Sequence, residues 1–167
     1  MAAKVSYGSL ELVCFHEGGH AATAIQVGAQ IENIEIYKDA GRYFGRVRAT
    51  RTDDQSRHIL LGGFSAEYIL FTSGLLLNAD GSSPTEKQFI DQSMDNAIID
   101  RINFFKINYG LDVDASNVPV HLDERFMSYA IGRAKDKMPF DAVERIANSL
   151  IARRTLGADE IHSAFVG

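Results

Sequence analysis

The stretch Cys14-Phe15-His16-Glu17-Gly18-Gly19-His20 contains a His-Glu-x-x-His arrangement, whose residue types are those of metal-assisted hydrolysis. On a helix, His16 and His20 stand on one face with Cβ atoms about 6 Å apart, a span that suits two ligands on one zinc ion. Glu17 is turned by about 100° from His16 around such a helix, beside the metal direction and not a natural third ligand. A carboxylate there can take a proton from metal-activated water and deliver it to a leaving amine, as peptide hydrolysis requires. Two histidines on a helix can also serve packing alone. The flanking Leu10, Leu12, Val13, Phe15, Ala21, Ala22, Ala24 and Ile25 make this a buried helix, however, where an imidazole needs a partner that a metal would provide.

The elements that must carry these residues follow from punctuation and periodicity. Ser9 predicts the N-cap of a helix that runs to about Val27, with Gly28 ending it. Gly18 and Gly19 inside that helix cost about 1 kcal/mol each relative to alanine, which points to close approach by another backbone. Ile31 to Tyr37 and Tyr43 to Ala49 read as strands joined by the turn Asp39-Ala40-Gly41, the one hairpin signal in the chain. From Asp53 to Phe71 the pattern is helical, with Gly62 and Gly63 in the middle and Glu67 as the sole acid of its apolar part; that acid suits a helix edge or a partner to a zinc histidine. Ser83-Pro84-Thr85-Glu86 reads as an N-cap, a first-turn proline and a capping-box glutamate opening one long helix from Pro84 to about Ile107. Two more helices follow, separated near Lys137-Met138-Pro139, and a last short turn starts at Gly157.

Composition bounds the rest. A chain of 167 residues with 46% hydrophobic and 23% charged residues fits one domain with a substantial core. We divide residues 1–167 into a zinc-site core over 1–110 and a C-terminal helical part over 111–167. The net charge of -5 gives no reason to expect nucleic acid, and the basic run from Arg42 to Arg51 reads as a solvated strand and turn. The sole cysteine, Cys14, excludes an internal disulfide and reads as a packed thiol in a reducing compartment. With no membrane-length apolar run and no signal-peptide layout, the expected location is cytoplasmic. No Gly-x-x-x-x-Gly-Lys-Ser/Thr phosphate loop is present.

Three stretches, taken together, resemble the peptidase domain of FtsH-type ATP-dependent zinc metalloproteases. Phe15-His16-Glu17-Gly18-Gly19-His20-Ala21 is similar to that family's His-Glu-Ala-Gly-His-Ala. Leu61-Gly62-Gly63-Phe64-Ser65-Ala66-Glu67 is similar to its Ala-Gly-Arg-x-Ala-Glu helix, and Thr155-Leu156-Gly157-Ala158-Asp159-Glu160-Ile161 to its closing Thr-Leu-x-x-x-Glu-Ile segment. The resemblance implies Zn2+ held by His16 and His20, Glu17 as general base, and an aspartate on the following helix as third ligand. Asp91 is the choice for that aspartate, because Met94, Ile98 and Ile102 then fall where the family's helix is apolar. Asp95 competes through Ser93-Met94-Asp95, and Glu86 through its place at the helix start, where a capping role accounts for it equally well.

The expected fold is therefore α+β and mostly α-helical, a zincin-like helix bundle with a small β-hairpin next to the His-Glu-x-x-His helix. The expected function is that of a zinc metalloendopeptidase cutting unfolded or flexible peptides, with a substrate strand adding to the hairpin's outer edge. The chain shows no ATPase and no membrane span, so unfolding of folded substrates would fall to a separate ATPase partner, and a homo-oligomer is open. The competing expectation is a catalytically silent relative that serves as a binding or adaptor module.

Overall fold

The computed structural model describes residues 3–167 and has an α+β architecture in which helices predominate. After a short strand β1 (Val5–Ser6), helix α1 (Leu10–Gln26) forms the centre of the molecule. The Ser9 hydroxyl accepts from the Leu12 amide at 3.2 Å, and Gly28, at φ +76°, turns the chain out of the helix. Burial of α1 is continuous from His16 to Ala24, so it is covered on every side. Strands β2 (Gln30–Asp39) and β3 (Arg42–Thr50) follow as an antiparallel hairpin. Ala40 and Gly41 both have positive φ, the conformation that a two-residue hairpin turn demands.

The helical run predicted from Asp53 is two helices, α2 (Asp53–Ile59) and α3 (Gly62–Thr72). The Leu61 amide tightens onto the His58 carbonyl at 3.1 Å, so the helix stops and the Ile59 carbonyl is released from the ladder. A two-residue strand β4 (Leu76–Leu77) then pairs in parallel with β1. The long helix predicted from Pro84 is also two, α4 (Glu86–Asn96) and α5 (Ile98–Tyr109). Its start lies later than expected, because Thr85 and not Ser83 is the N-cap, in a reciprocal box with Gln88 in place of Glu86. The chain closes with α6 (Val120–Asp136), α7 (Phe140–Arg153), β5 (Thr155–Gly157) and α8 (Ala158–Val166). The two helices expected around Lys137-Met138-Pro139 are α6 and α7.

Strand order in the main sheet is β3-β2-β5, with Leu156 opposite Ile34, so β3 is a free edge. At two or three residues, β1, β4 and β5 are too short to show an alternation in the sequence. One hydrophobic cluster runs from Val5 to Ile161, with Phe64, Phe105, Phe126, Ile146 and Leu150 fully buried, so α7 packs into the same core as α1 and α3. Among the described residues, no helix is long and apolar enough to cross a membrane.

Candidate metal centre

Helix α1 projects His16, Glu17 and His20 toward the hairpin and the α4–α5 junction, and all three are buried. What lets the neighbours come so close is the absence of side chains. A Cβ on Gly19 would lie 2.8 Å from the Gly62 carbonyl carbon, and one on Gly62 would lie 2.7 Å from that of Gly19, so α1 and α3 touch backbone to backbone. A Cβ on Gly63 would fall on the His16 imidazole, 2.6 Å from Cδ2 and closer still to Nε2. Of the two glycines in α1 anticipated as a close backbone contact, Gly19 meets Gly62 and Gly18 lies against the Val143 carbonyl.

Each imidazole is oriented from behind. His16 Nδ1 donates to Glu67 Oε1 at 2.8 Å, and the Asn96 side-chain amide donates to both Glu67 oxygens at 3.2 and 3.3 Å. Glu67 is fully buried, which its position in an apolar helix left open. His20 Nδ1 donates to the Ile59 carbonyl at 2.7 Å, the carbonyl freed by the break between α2 and α3. Because both Nδ1 atoms are spent on acceptors, both Nε2 atoms are the ones left to face the site.

They face Asp100. Its Oδ2 lies 3.2 Å from His16 Nε2 and 3.1 Å from His20 Nε2, and the three atoms lie within 4.8 Å of one another. For a tetrahedral zinc with ligand bonds of about 2.0–2.1 Å, neighbouring donor atoms are about 3.3 Å apart. The two nitrogen–oxygen distances match that spacing, and two imidazoles backed by acceptors with one carboxylate are donors of the type zinc takes. The two nitrogens, within 4.8 Å of one another, would draw together by up to about 1.5 Å around an ion.

The third acid is thus not the expected one. Asp91 is exposed and pairs with Lys87 Nζ at 2.6 Å one turn earlier on α4, and it neither lines the cleft nor joins the histidines. Glu86 is exposed in the first turn of α4; Asp95 borders the cleft but does not join the group. Asp100 takes the position because the helix breaks at Ala97. The break frees the Met94 carbonyl, which accepts from Arg101 Nη1 at 2.7 Å. The Arg101 guanidinium grips Asp123 on α6 with Nε and Nη2, each at 3.0 Å, and so fixes the first turn of α5 that carries Asp100. One signal was present in the sequence: Asp100 lies three residues after Ala97 and four before Phe104, both buried, so this acid sits on the core stripe of its helix.

Electrostatics follow the geometry. Burial by itself would lower the proton affinity of both histidines, but the Asp100 carboxylate, joined at His16 by Glu67, outweighs it and holds both above the ordinary imidazole value. Burial likewise would raise Asp100, yet the two imidazoles hold it well below the usual carboxylate range. A metal cation held there would compete with protons for the same imidazole nitrogens. Glu17 is different. It accepts no hydrogen bond among the described residues, and burial raises its carboxyl above the ordinary value despite the nearby imidazoles. Its side chain lies against Gly45 of β3, where a Cβ would stand 2.7 Å from Cδ and 2.8 Å from Oε1.

Above these groups opens a cleft of about 750 Å³. His16, Glu17 and His20 form its floor, the free edge strand β3 from Arg42 to Val47 one wall, and Asp95, Asn96, Ile98 and Ile99 at the α4–α5 junction the other. Compared with known proteins, the chain matches no family model and no curated protein sequence.

Proposed function

We propose that this chain is a zinc-dependent metalloendopeptidase of the FtsH peptidase type that hydrolyses peptide bonds in unfolded or flexible segments. The observation that carries the reading is the convergence of His16 Nε2, His20 Nε2 and Asp100 Oδ2 at the floor of an open cleft, with the unpartnered Glu17 carboxyl beside them. Four protein ligands would close a structural zinc site; three protein ligands facing open space leave a position for water or substrate.

In this reading His16, His20 and Asp100 hold the ion, while Glu67 and the Ile59 carbonyl fix the ring tautomers. When bound, zinc supplies Lewis-acid polarisation and brings water toward ionisation near neutral pH. Glu17 takes the proton of the attacking water and returns it to the leaving amine. The hydroxyl thus ends on the carbonyl carbon, the proton on the nitrogen, and the C–N bond breaks. Burial of Glu17 suits it to both steps, because a carboxyl of raised proton affinity is a better base and still an acid. An extended substrate adds to the unpaired edge of β3, which runs along the cleft. A substrate must be extended to lie along that edge, and the single cysteine suits a cytoplasmic setting.

Two measurements test this. Metal analysis of protein purified without added zinc should give about one zinc per chain in the native protein and in Asp91→Ala, and none in Asp100→Ala. Cleavage of an unfolded protein or a fluorogenic peptide should be zinc-dependent and lost in Glu17→Gln. Native protein that takes up no zinc sinks the reading. Zinc uptake with cleavage equal to that of Glu17→Gln would favour a binding module instead.

A further inference from the structure

The edge strand beside the candidate zinc site has two chemically distinct faces. Toward α1 it turns Tyr43, Gly45 and Val47, all half-buried, and Gly45 lies against Glu17. Outward it turns Arg42, Phe44, Arg46 and Arg48, all exposed. Among the described residues none of these arginines belongs to an ion pair, although Asp39 stands opposite Arg42 and Glu35 opposite Arg46 on β2. Arg42 lies 5.9 Å above the Phe44 ring, which stacks on Tyr37 at 5.7 Å, so the outer face is an aromatic platform with guanidinium groups around it. In a chain of net charge -5, three arginines against Asp39 and Glu35 leave this face net positive. Across the cleft, Ile99 is two-thirds exposed (67%) and stands at the wall with Ile98, an apolar surface with nothing over it.

A strand added to β3 alternates its side chains between these faces, and residues directly opposite on one face interact. Resting on the peptidase reading above, we propose that the substrates are extended segments in which acidic and apolar residues alternate around the scissile bond. The acidic side chains lie on the Arg42, Arg46 and Arg48 face. The apolar ones turn into the cleft between Val47 and the Ile98–Ile99 wall.

The same arginine and aromatic face could meet a single-stranded nucleic acid. The structure favours the peptide. Asp39 and Glu35 interrupt the positive track that a continuous phosphate backbone would follow, and Asp95 borders the cleft below it. Isolated carboxylates at every second residue need no continuous track.

The test uses two quenched-fluorescence peptides of equal length, identical at their apolar positions, with glutamate or lysine at the alternate positions. Both are assayed with zinc-loaded native protein and with the double variant Arg42→Glu, Arg46→Glu. Two cross-strand charge contacts together should give the glutamate peptide about a tenfold higher kcat/KM at low ionic strength, a margin that shrinks with salt. The double variant should reverse the order. Equal kcat/KM for the two peptides, or an order unchanged by the double variant, overturns the proposal. Binding of the same peptides to Glu17→Gln, read by fluorescence anisotropy, separates this from the chemistry. If neither peptide is cut yet the glutamate peptide binds more tightly, the substrate class stands and the peptidase reading falls. If neither shows a preference in binding, or if a thymidine oligonucleotide displaces the glutamate peptide at comparable concentration, the substrate class falls.

Discussion

Replacing Gly63 by alanine should abolish tight zinc binding without touching a ligand. The new Cβ would stand 2.6 Å from His16 Cδ2 and nearer to Nε2, whereas carbon contacts settle at about 3.5–4.0 Å. The ring must therefore withdraw by about 1 Å, half the length of a zinc–nitrogen bond of about 2.0–2.1 Å. It has no easy route. Glu67, one turn along the same helix α3, holds Nδ1 at 2.8 Å, and moving α3 as a whole means parting Gly62 from Gly19. Loss of one ligand from its position should weaken zinc by about 100-fold or more, about 3 kcal/mol. The fold itself should survive. Overpacking costs about 1–3 kcal/mol, and alanine returns about 1 kcal/mol of helix propensity, so metal-free protein should lose at most about 2 kcal/mol. Competition against a chromophoric chelator gives the zinc affinity, and urea unfolding of the metal-free protein gives the stability. Zinc affinity within about threefold of native would refute the geometry from which the argument starts.

Gly45→Ala makes the complementary case: its Cβ displaces the Glu17 carboxyl and leaves the ligands alone, so zinc content should be native while peptide turnover falls about 100-fold or more. Arg101→Met leaves the Met94 carbonyl without its donor and frees the first turn of α5. It should cost about 1–3 kcal/mol in urea unfolding and weaken zinc at least about tenfold in the chelator assay. Cys14, fully buried, has its thiol pushed up to about 12 by burial from 9.0, so in the folded state it should resist alkylation at pH 8. Above pH 9 the unfolded chain releases this proton while the folded one keeps it, so stability should fall with rising pH between about 9 and 12. Cys14→Ala should show a shallower slope over the accessible part of that window.

What could be read in the sequence was what local chemistry controls. Ser9 and Gly28 bounded α1 because a hydroxyl cap and a left-handed glycine act within one turn, and Ala40-Gly41 set the hairpin for the same reason. His16, Glu17 and His20 were legible as a group because a helix brings residues four apart together whatever surrounds it. Asp100 was not. Its approach depends on the break at Ala97, and that break depends on Arg101 reaching the Met94 carbonyl while Asp123, on another helix, holds the guanidinium. Apolar periodicity runs through Ala97 undisturbed, so the pattern gave one helix, and Asp91, chosen on the family resemblance, lies outside the group that His16 and His20 form with Asp100.

The second misread helix carries the same physics. Ile59 lies where periodicity joined α2 to α3, and its carbonyl, released by the break, holds His20 by Nδ1. In both places a backbone carbonyl that a continuous helix would have consumed is turned into a fixed acceptor, and in both the group it fixes leads to the three donor atoms. A straight helix in either position would bury an unpaired His20 Nδ1 or an unpaired Arg101 Nη1, each a loss at least comparable to the one ladder bond given up. The breaks are therefore consequences of placing histidine and arginine in a closed interior. A sequence reading that looks for buried polar side chains in need of an acceptor would find both breaks where a reading of apolar spacing finds none.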